Sequence, residues 1–261
     1  MTFNIRLSTL ADGLNAWPLR KDIAAGTISF YQPHVAGLQE VLVSQLEDLQ
    51  DLLPEYAWVG VGRDDGKEAG EYNPIFFRKD RFRLLGTSTF WLSEEPDKPG
   101  VKGWDAACPR VVTWARLRDR WTGDILVAFN THFDHMGERA RNESASLVLS
   151  AMRRIAGDAP VVLTGDFNCT REDAPYRTLI DAGGRASFLR DARDASLRAP
   201  YGPSSSFNGF RADPGSGLPI DHIFIGPSFI VLRAGILPGA WAGRFVSDHN
   251  PVLAVIRLAR R

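Results

Sequence analysis

The chain has only two cysteines, Cys108 and Cys169, among its 261 residues. Two thiols make no disulfide framework, and nothing around them has the spacing of a zinc site. Both read as ordinary reduced or semi-buried thiols. Neither sign of charge is in excess, since 31 Lys and Arg balance 31 Asp and Glu. A protein that grips long nucleic acid by neutralising phosphates carries a basic surplus, so the balance argues against processive action on a polymer. No apolar run approaches the ~20 residues needed to span a bilayer, so no transmembrane segment is expected. A signal-peptide pattern is missing too. The chain opens on Met1-Thr2-Phe3-Asn4-Ile5-Arg6, which already reads as a strand. The expected location is cytoplasmic for the chain as given, and secreted or periplasmic if an upstream leader was removed. There is no internal repeat, charge block or long linker, and the expectation is one monomeric domain over residues 1–261.

Apolar residues make up 44% of the chain and aromatics 10%, enough for a large core. Helical spacing of apolar residues marks 17–31, 41–53, 136–156 and 174–181, with Pro18 suited to a first turn and Pro54 to a stop. Short apolar runs mark strands at 34–39, 56–61, 74–78, 81–92, 111–118, 125–131, 160–164, 219–225, 229–236 and 251–258. Residues 93–110 form a long loop holding Pro96, Pro99, Trp104, Cys108 and Pro109. A loop of that length in a compact domain is functional or disordered, and one carrying Trp and Cys is unlike a disordered segment. A polar stretch at 197–218 reads as a second loop. Strands outnumber helices but alternate with them. The expected fold is α+β, a four-layer α/β/β/α sandwich of two mixed sheets.

Acids, amides and histidines recur at the ends of these strands. Gln39-Glu40 closes one, Thr131-His132 a second and Gly165-Asp166-Phe167-Asn168 a third. Asp221-His222 opens a fourth, and Ser247-Asp248-His249 a fifth. If these strands share one sandwich, their ends meet on one rim. Carboxylate and amide oxygens bind a hard cation such as Mg²⁺, which keeps waters and contacts phosphate. An aspartate activates water there, and His and Asn donate hydrogen bonds to developing charge. Each piece alone has a plainer reading. A lone Glu after a strand is usually solvated, Asp-Phe-Asn after Gly is a fair turn, and Asp-His pairs occur in cores. The combination is what chance turn chemistry does not supply. Of the other histidines, His34 is expected to be structural, His135 to sit on the rim, and His222 to be packing or rim.

The ordered set Phe3-Asn4-Ile5-Arg6, Gln39-Glu40, Thr131-His132, Gly165-Asp166-Phe167-Asn168, Ile220-Asp221-His222-Ile223-Phe224 and Ser247-Asp248-His249 resembles the endonuclease/exonuclease/phosphatase superfamily, which is deoxyribonuclease I-like. Phe90-Trp91-Leu92-Ser93-Glu94 and Gly103-Trp104-Asp105-Ala106-Ala107-Cys108-Pro109-Arg110 are similar to a bacterial subgroup whose substrate does not follow from sequence. The resemblance implies a phosphoester hydrolase dependent on Mg²⁺, with Mn²⁺ as a substitute. It makes Glu40 the principal metal ligand, with Asn4 beside it and Asp248 in support. It assigns Asp166 to the attacking water, Asn168 and His132 to the phosphate, and the pair Asp221 and His249 to the phosphate or leaving group. His222 departs from it, because relatives often carry an aromatic residue there. Arg110 and Trp104 are candidates for substrate contact, the plainer reading of Arg110 being an exposed surface residue. The expected substrate is a phosphodiester of nucleic acid, for which Trp17, Trp91, Trp104 and Trp241 are candidate stacking platforms. The alternatives are a small sugar, inositol or nucleotide monoester, and an inactive binding module on the same fold.

Overall fold

The computed structural model describes residues 1–181, 188–212, 217–241 and 243–259, with the side chains of Asp181 and Trp241 outside that description. The chain runs through β1 (Thr2–Asn4), a 3-10 turn (Leu10–Asn15), α1 (Trp17–Tyr31), β2 (Val35–Gln39), α2 (Val43–Leu52), β3 (Tyr56–Val59) and β4 (Ile75–Arg78). It continues with β5 (Phe82–Trp91), β6 (Val111–Asp119), β7 (Ile125–His132), α3 (Glu138–Ala156), β8 (Val161–Asp166), α4 (Ala174–Asp181) and β9 (Arg190–Asp191). It ends with β10 (Asp221–Ile225), β11 (Phe229–Ile236), β12 (Ala240–Trp241), β13 (Arg244–Phe245) and β14 (Val252–Leu258).

One six-stranded sheet has the order β11-β14-β1-β2-β4-β3 and the other β5-β6-β7-β8-β10-β9. β1 pairs with β2 and β7 with β8 in parallel, and the other pairings are antiparallel, so both sheets are mixed. α1 and α2 cover the outer face of the first sheet through Ala24, Ala25, Ile28, Leu46 and Leu49. α3 covers the second, burying Ala145, Val148, Leu149, Met152 and Ala156 at helical spacing beside Tyr176 and Leu179 of α4. The four-layer α/β/β/α sandwich expected from the sequence is the observed one.

Two apolar clusters fill the space between the sheets, one around Ile223, Phe229 and Ile236, the other around Ile75, Phe77 and Leu117. A polar seam also crosses it. Asn130 donates to the carbonyls of Leu38 (2.7 Å) and Pro74 (2.9 Å) and accepts from Gln39 Nε2 (2.6 Å) and Thr164 Oγ1 (3.0 Å). Gly37 lets the sheets approach here, since a Cβ would lie 2.1 Å from Thr164 Oγ1. These bonds tie β2 to β7 and β8 in register, directly beneath the rim.

Several boundaries differ from the expected ones for local reasons. α2 starts at Val43, because Val41 forms a bridge with Tyr72. β3 stops at Val59, before Gly60 at φ +145°. The two-residue strands β9, β12 and β13 are too short to show a periodic pattern. The long 92–110 loop is ordered, and its Asp105 caps α3 by accepting from Ala140 N (2.6 Å) and Arg139 N (3.3 Å).

Candidate active site

Strand register assembles the rim. Asp166, the last residue of β8, stands level with His132 at the end of parallel β7 and with Asp221 at the start of antiparallel β10. In the other sheet Asn4 ends β1 level with Gln39, and Glu40 follows through a left-handed kink at φ +59°. Such a conformation is costly for a residue with a Cβ and persists where its surroundings hold it. Here Glu40 Oε2 accepts from Leu7 N (3.1 Å) and Oε1 from Asn4 Nδ2 (3.0 Å).

The same Asn4 nitrogen donates to Asp166 Oδ2 at 2.9 Å. One amide therefore joins carboxylates of two different sheets. His249 donates from Nδ1 to Asp221 Oδ2 (2.8 Å) and turns Nε2 toward Asp166 Oδ2 at 3.7 Å. Asp248 lies beside this group, its Oδ1 3.2 Å from Ser247 Oγ, whose single proton is shared with the nearer Asn4 carbonyl (2.7 Å). Asn168, at φ +46°, donates from Nδ2 to His132 Nε2 (3.0 Å) and to the Phe133 carbonyl (3.0 Å). The bond to Nε2 leaves the proton of a neutral His132 on Nδ1.

Burial sets the electrostatics. It pushes the Asp166 carboxyl up to about 7, helped by the charge of Asp221 and opposed by His249 and the Asn4 amide. Burial opposes the charge of His249, but Asp221 and Asp166 outweigh it and raise the ring to about 10. Burial and the nearby Arg110 and Arg63 push His132 well below its usual range, so it is neutral. Burial and Glu40 raise Asp248, with His249 and Arg6 pulling the other way. The rim thus holds a protonated imidazole, a neutral imidazole and carboxylates short of compensating charge.

The site brings together Asn4, Glu40, His132, Asp166, Asn168, Asp221, Asp248 and His249. Of the two substrate candidates, Arg110 lies near His132 but spends its hydrogen bonds elsewhere, and Trp104 makes no hydrogen bond to that group among the described residues. Arg110 is only 4% exposed, not a surface residue as its plainer reading had it. Its Nε donates to Asp134 (3.3 Å) and its Nη2 to His135 Nδ1 (2.9 Å). Trp104 is half-buried on the long loop, with its backbone N–H donating to Glu94 Oε2 (3.1 Å). Trp17 and Trp91 are buried and donate to Asp48 and the Arg63 carbonyl, which removes both as stacking platforms. Trp241 falls outside the residues whose side chains are described. His135 is exposed at the rim as expected. His34 is exposed and edge-on to Trp121, a surface contact and not a core one. His222 is packing: it is buried and donates to Asp191 Oδ2 (2.8 Å) and the Cys169 carbonyl (3.2 Å).

Two contributors carry no signal in the sequence. Arg20 of α1 is 1% exposed and donates to the carbonyls of Asn15 (2.7 Å), Arg6 (2.8 Å), Val246 (3.2 Å) and Ile5. It stitches the end of β1 to the segment before Ser247-Asp248-His249. Phe207, inside the stretch read as a polar loop, forms a bridge with His249, with its ring 5.0 Å from the imidazole. The backbone of Asn208 then donates to the Asp248 carbonyl at 2.8 Å.

Residues 1–249 match the model of the Endonuclease/Exonuclease/phosphatase family. The chain belongs to that family. A solved endonuclease/exonuclease/phosphatase from Bacteroides vulgatus is 44% identical, with a TM-score of 0.93 over 99% of this chain and 97% of that one. A mannosyl-6-phosphatase of Bacteroides thetaiotaomicron is 35% identical, with a TM-score of 0.92 over 98% of each chain. The fold alone is shared with D. rerio TDP2, solved with a single-strand DNA product, at 19% identity and a TM-score of 0.74 over 98% of this chain and 97% of that one. Among curated relatives, the match to an uncharacterized protein of Acanthamoeba polyphaga mimivirus is 23% identical over 96% of this chain, which spans 42% of that protein's length. Endonuclease/exonuclease/phosphatase proteins are phosphoester hydrolases. No helix among the described residues is long and apolar enough to cross a membrane.

Proposed function

We propose that this family member is a divalent-cation-dependent phosphoester hydrolase, with a small sugar phosphate monoester as the favoured substrate class. One observation carries the hydrolase reading: the Asn4 amide bridges Glu40 and Asp166 across the two sheets, at 3.0 and 2.9 Å. The residues fit a hard cation. Their donors are oxygens, and burial penalises the charges of Asp166 and Asp248, a penalty that a bound cation offsets. Glu40, Asp166 and Asp248, with Asn4 alongside, would hold Mg²⁺ or Mn²⁺. Bound there, the cation supplies Lewis-acid neutralisation of phosphoryl oxygens.

The side chains divide the remaining work. Asp166, bonded by the Asn4 amide with its Oδ2 3.7 Å from His249 Nε2, is placed to orient the attacking water and accept its proton. His249, kept charged by Asp221, presents Nε2–H to a phosphoryl or leaving-group oxygen. Asn168 fixes the tautomer and orientation of His132 against the same centre. Arg110, held by Asp134 and His135, adds positive potential beside His132.

The substrate class rests on two supports, the 35% identity to a mannosyl-6-phosphatase over almost the whole chain and the equal counts of acidic and basic residues. A nuclease-like diester activity is the second reading, favoured by the fold shared with a DNA-bound relative. Purified protein with Mn²⁺ is to be assayed against hexose phosphates, nucleotides, bis-p-nitrophenyl phosphate, and single-stranded and duplex DNA, with and without EDTA. Release of phosphate from sugar phosphates that EDTA abolishes is expected. Cleavage of diesters alone overturns the monoester reading. No hydrolysis of any of them overturns the enzyme reading and leaves a binding module.

A further inference from the structure

Arg6 brings a permanent positive charge to the edge of the carboxylate group proposed to hold a cation. Its backbone is fixed in a left-handed conformation, φ +59°. The N–H donates to Asn4 Oδ1 (2.9 Å), and the carbonyl accepts from Arg20 Nη2 (2.8 Å) and Gln45 Nε2 (2.9 Å). Only the side chain is free to choose a partner. It has three carboxylates in reach, and it does not treat them alike.

The guanidinium forms a two-pronged pair with Asp12, Nε to Oδ2 at 3.1 Å and Nη2 to Oδ1 at 3.2 Å. Its separations from Glu40 Oε2 (3.8 Å) and Asp248 Oδ2 (3.9 Å) are too long for hydrogen bonds. Asp12 itself is held in place. The 3-10 turn that carries it is capped by Thr9, whose Oγ1 accepts from Ala11 N (3.3 Å), and is fastened at Asn15 by Arg20 Nε (2.7 Å).

Arginine cannot deprotonate, and its planar fork prefers two-pronged contact with a carboxylate. Released from Asp12, it would settle on Glu40 and Asp248, the oxygens a divalent cation needs. We propose that Asp12 is a tether that keeps Arg6 clear of Glu40 and Asp248 and thereby sets the affinity of the site for a divalent cation. The inference rests on the cation-site reading above. It assigns positioning roles to two residues that contact no reacting atom.

The test is Mn²⁺ binding at low ionic strength, followed by electron paramagnetic resonance of the free ion, with the fold of each variant checked by circular dichroism. Asp12→Asn is expected to weaken binding on the order of tenfold, because the freed guanidinium competes at short range. Arg6→Gln is expected to tighten it several-fold. In the Arg6→Gln background, Asp12→Asn is expected to change nothing further. That double variant separates a tether from simple loss of a negative charge, which would weaken binding with or without Arg6. Wild-type affinity in Asp12→Asn, or equal weakening in both backgrounds, overturns the tether while leaving the cation site standing. If Asp12→Asn does not fold, Asp12→Ser takes its place, and wild-type affinity in that variant overturns the tether alone. A wild-type protein that binds no Mn²⁺ overturns the cation-site reading and the tether with it.

Discussion

His249 Nδ1 lies 2.8 Å from Asp221 Oδ2, and Asp221 makes the largest favourable contribution to the charge of that ring. Asp221→Asn keeps the shape and removes the charge. The His249 value, now about 10, must then fall. If the protonated ring acts on the phosphate or leaving group, the alkaline limb of kcat/KM moves to lower pH. The rate drops by about 10²- to 10⁴-fold, the usual contribution of a positioned proton donor. An alkaline limb that stays in place in Asp221→Asn would assign it to a group other than His249.

Asn4 predicts a second effect, visible without substrate. Its amide donates to Glu40 and Asp166 together, so Asn4→Ala removes two charge-assisted bonds and leaves two carboxylates facing each other. Losing a partner to a buried charged group costs about 1–3 kcal/mol. Urea unfolding in EDTA near pH 8 should show that loss. It should be smaller near pH 5, where Asp166, already raised to about 7 by burial and further raised without the amide, is protonated in the folded state. A loss that does not depend on pH would mean that Asn4 acts through packing alone.

What the sequence revealed about this site was its sequence-local part. Gly165-Asp166-Phe167-Asn168 and Ser247-Asp248-His249 are contiguous, and each holds its own geometry through bonds such as Asn168 N to Asp166 Oδ1 (3.0 Å). Among the described residues, periodicity likewise found the four α-helices and the strands long enough to alternate or to form an apolar run, but not the 3-10 turn at Leu10–Asn15. Partnerships over long separations stayed hidden. Arg20 reads as one more charged residue on a helix, because nothing near it in sequence shows that four carbonyls will surround it. Phe207 lies in a Ser-, Gly- and Pro-rich stretch, and only the fold brings it to His249. The side chain of Asp191 meets His222 from 31 residues away, so the departure of His222 from the family pattern had no visible compensation.

Gly37 gives a prediction about the seam beneath the rim. A methyl group there would stand 2.1 Å from Thr164 Oγ1 and 2.4 Å from Asn130 Oδ1. Both neighbours are tied into the intersheet network and cannot rotate away cheaply. Gly37→Ala should therefore cost at least the ~1–3 kcal/mol typical of overpacking, read as a lower Tm. It should also reduce activity, because β2 leads directly into Glu40. A Gly37→Ala protein with parental Tm would show that the sheets separate here without cost.

His222 and Asp191 form a buried charge pair whose effect on stability has a defined pH window. His222 donates from both ring nitrogens, to Asp191 and to the Cys169 carbonyl, so it is the imidazolium that the structure accommodates. Burial alone would lower its pKa, but Asp191 raises it above the ordinary 6.5. Asp191 is lowered beneath its ordinary 3.8, burial being outweighed by His222 and by the N–H of Arg193. A histidine raised on folding stabilises fully below 6.5 and loses that contribution as pH rises through its folded value. An aspartate lowered on folding stabilises above 3.8 and loses it as pH falls through its folded value. Both contributions are complete only between about pH 4 and 6.5. Urea unfolding from acid to mild alkali should show His222→Phe less stable than the parent by about 3–5 kcal/mol within that window, the cost of stranding a buried carboxylate. The gap should narrow on both sides of the window. A gap that keeps its size on both sides of the window would mean that the imidazolium contributes shape rather than charge.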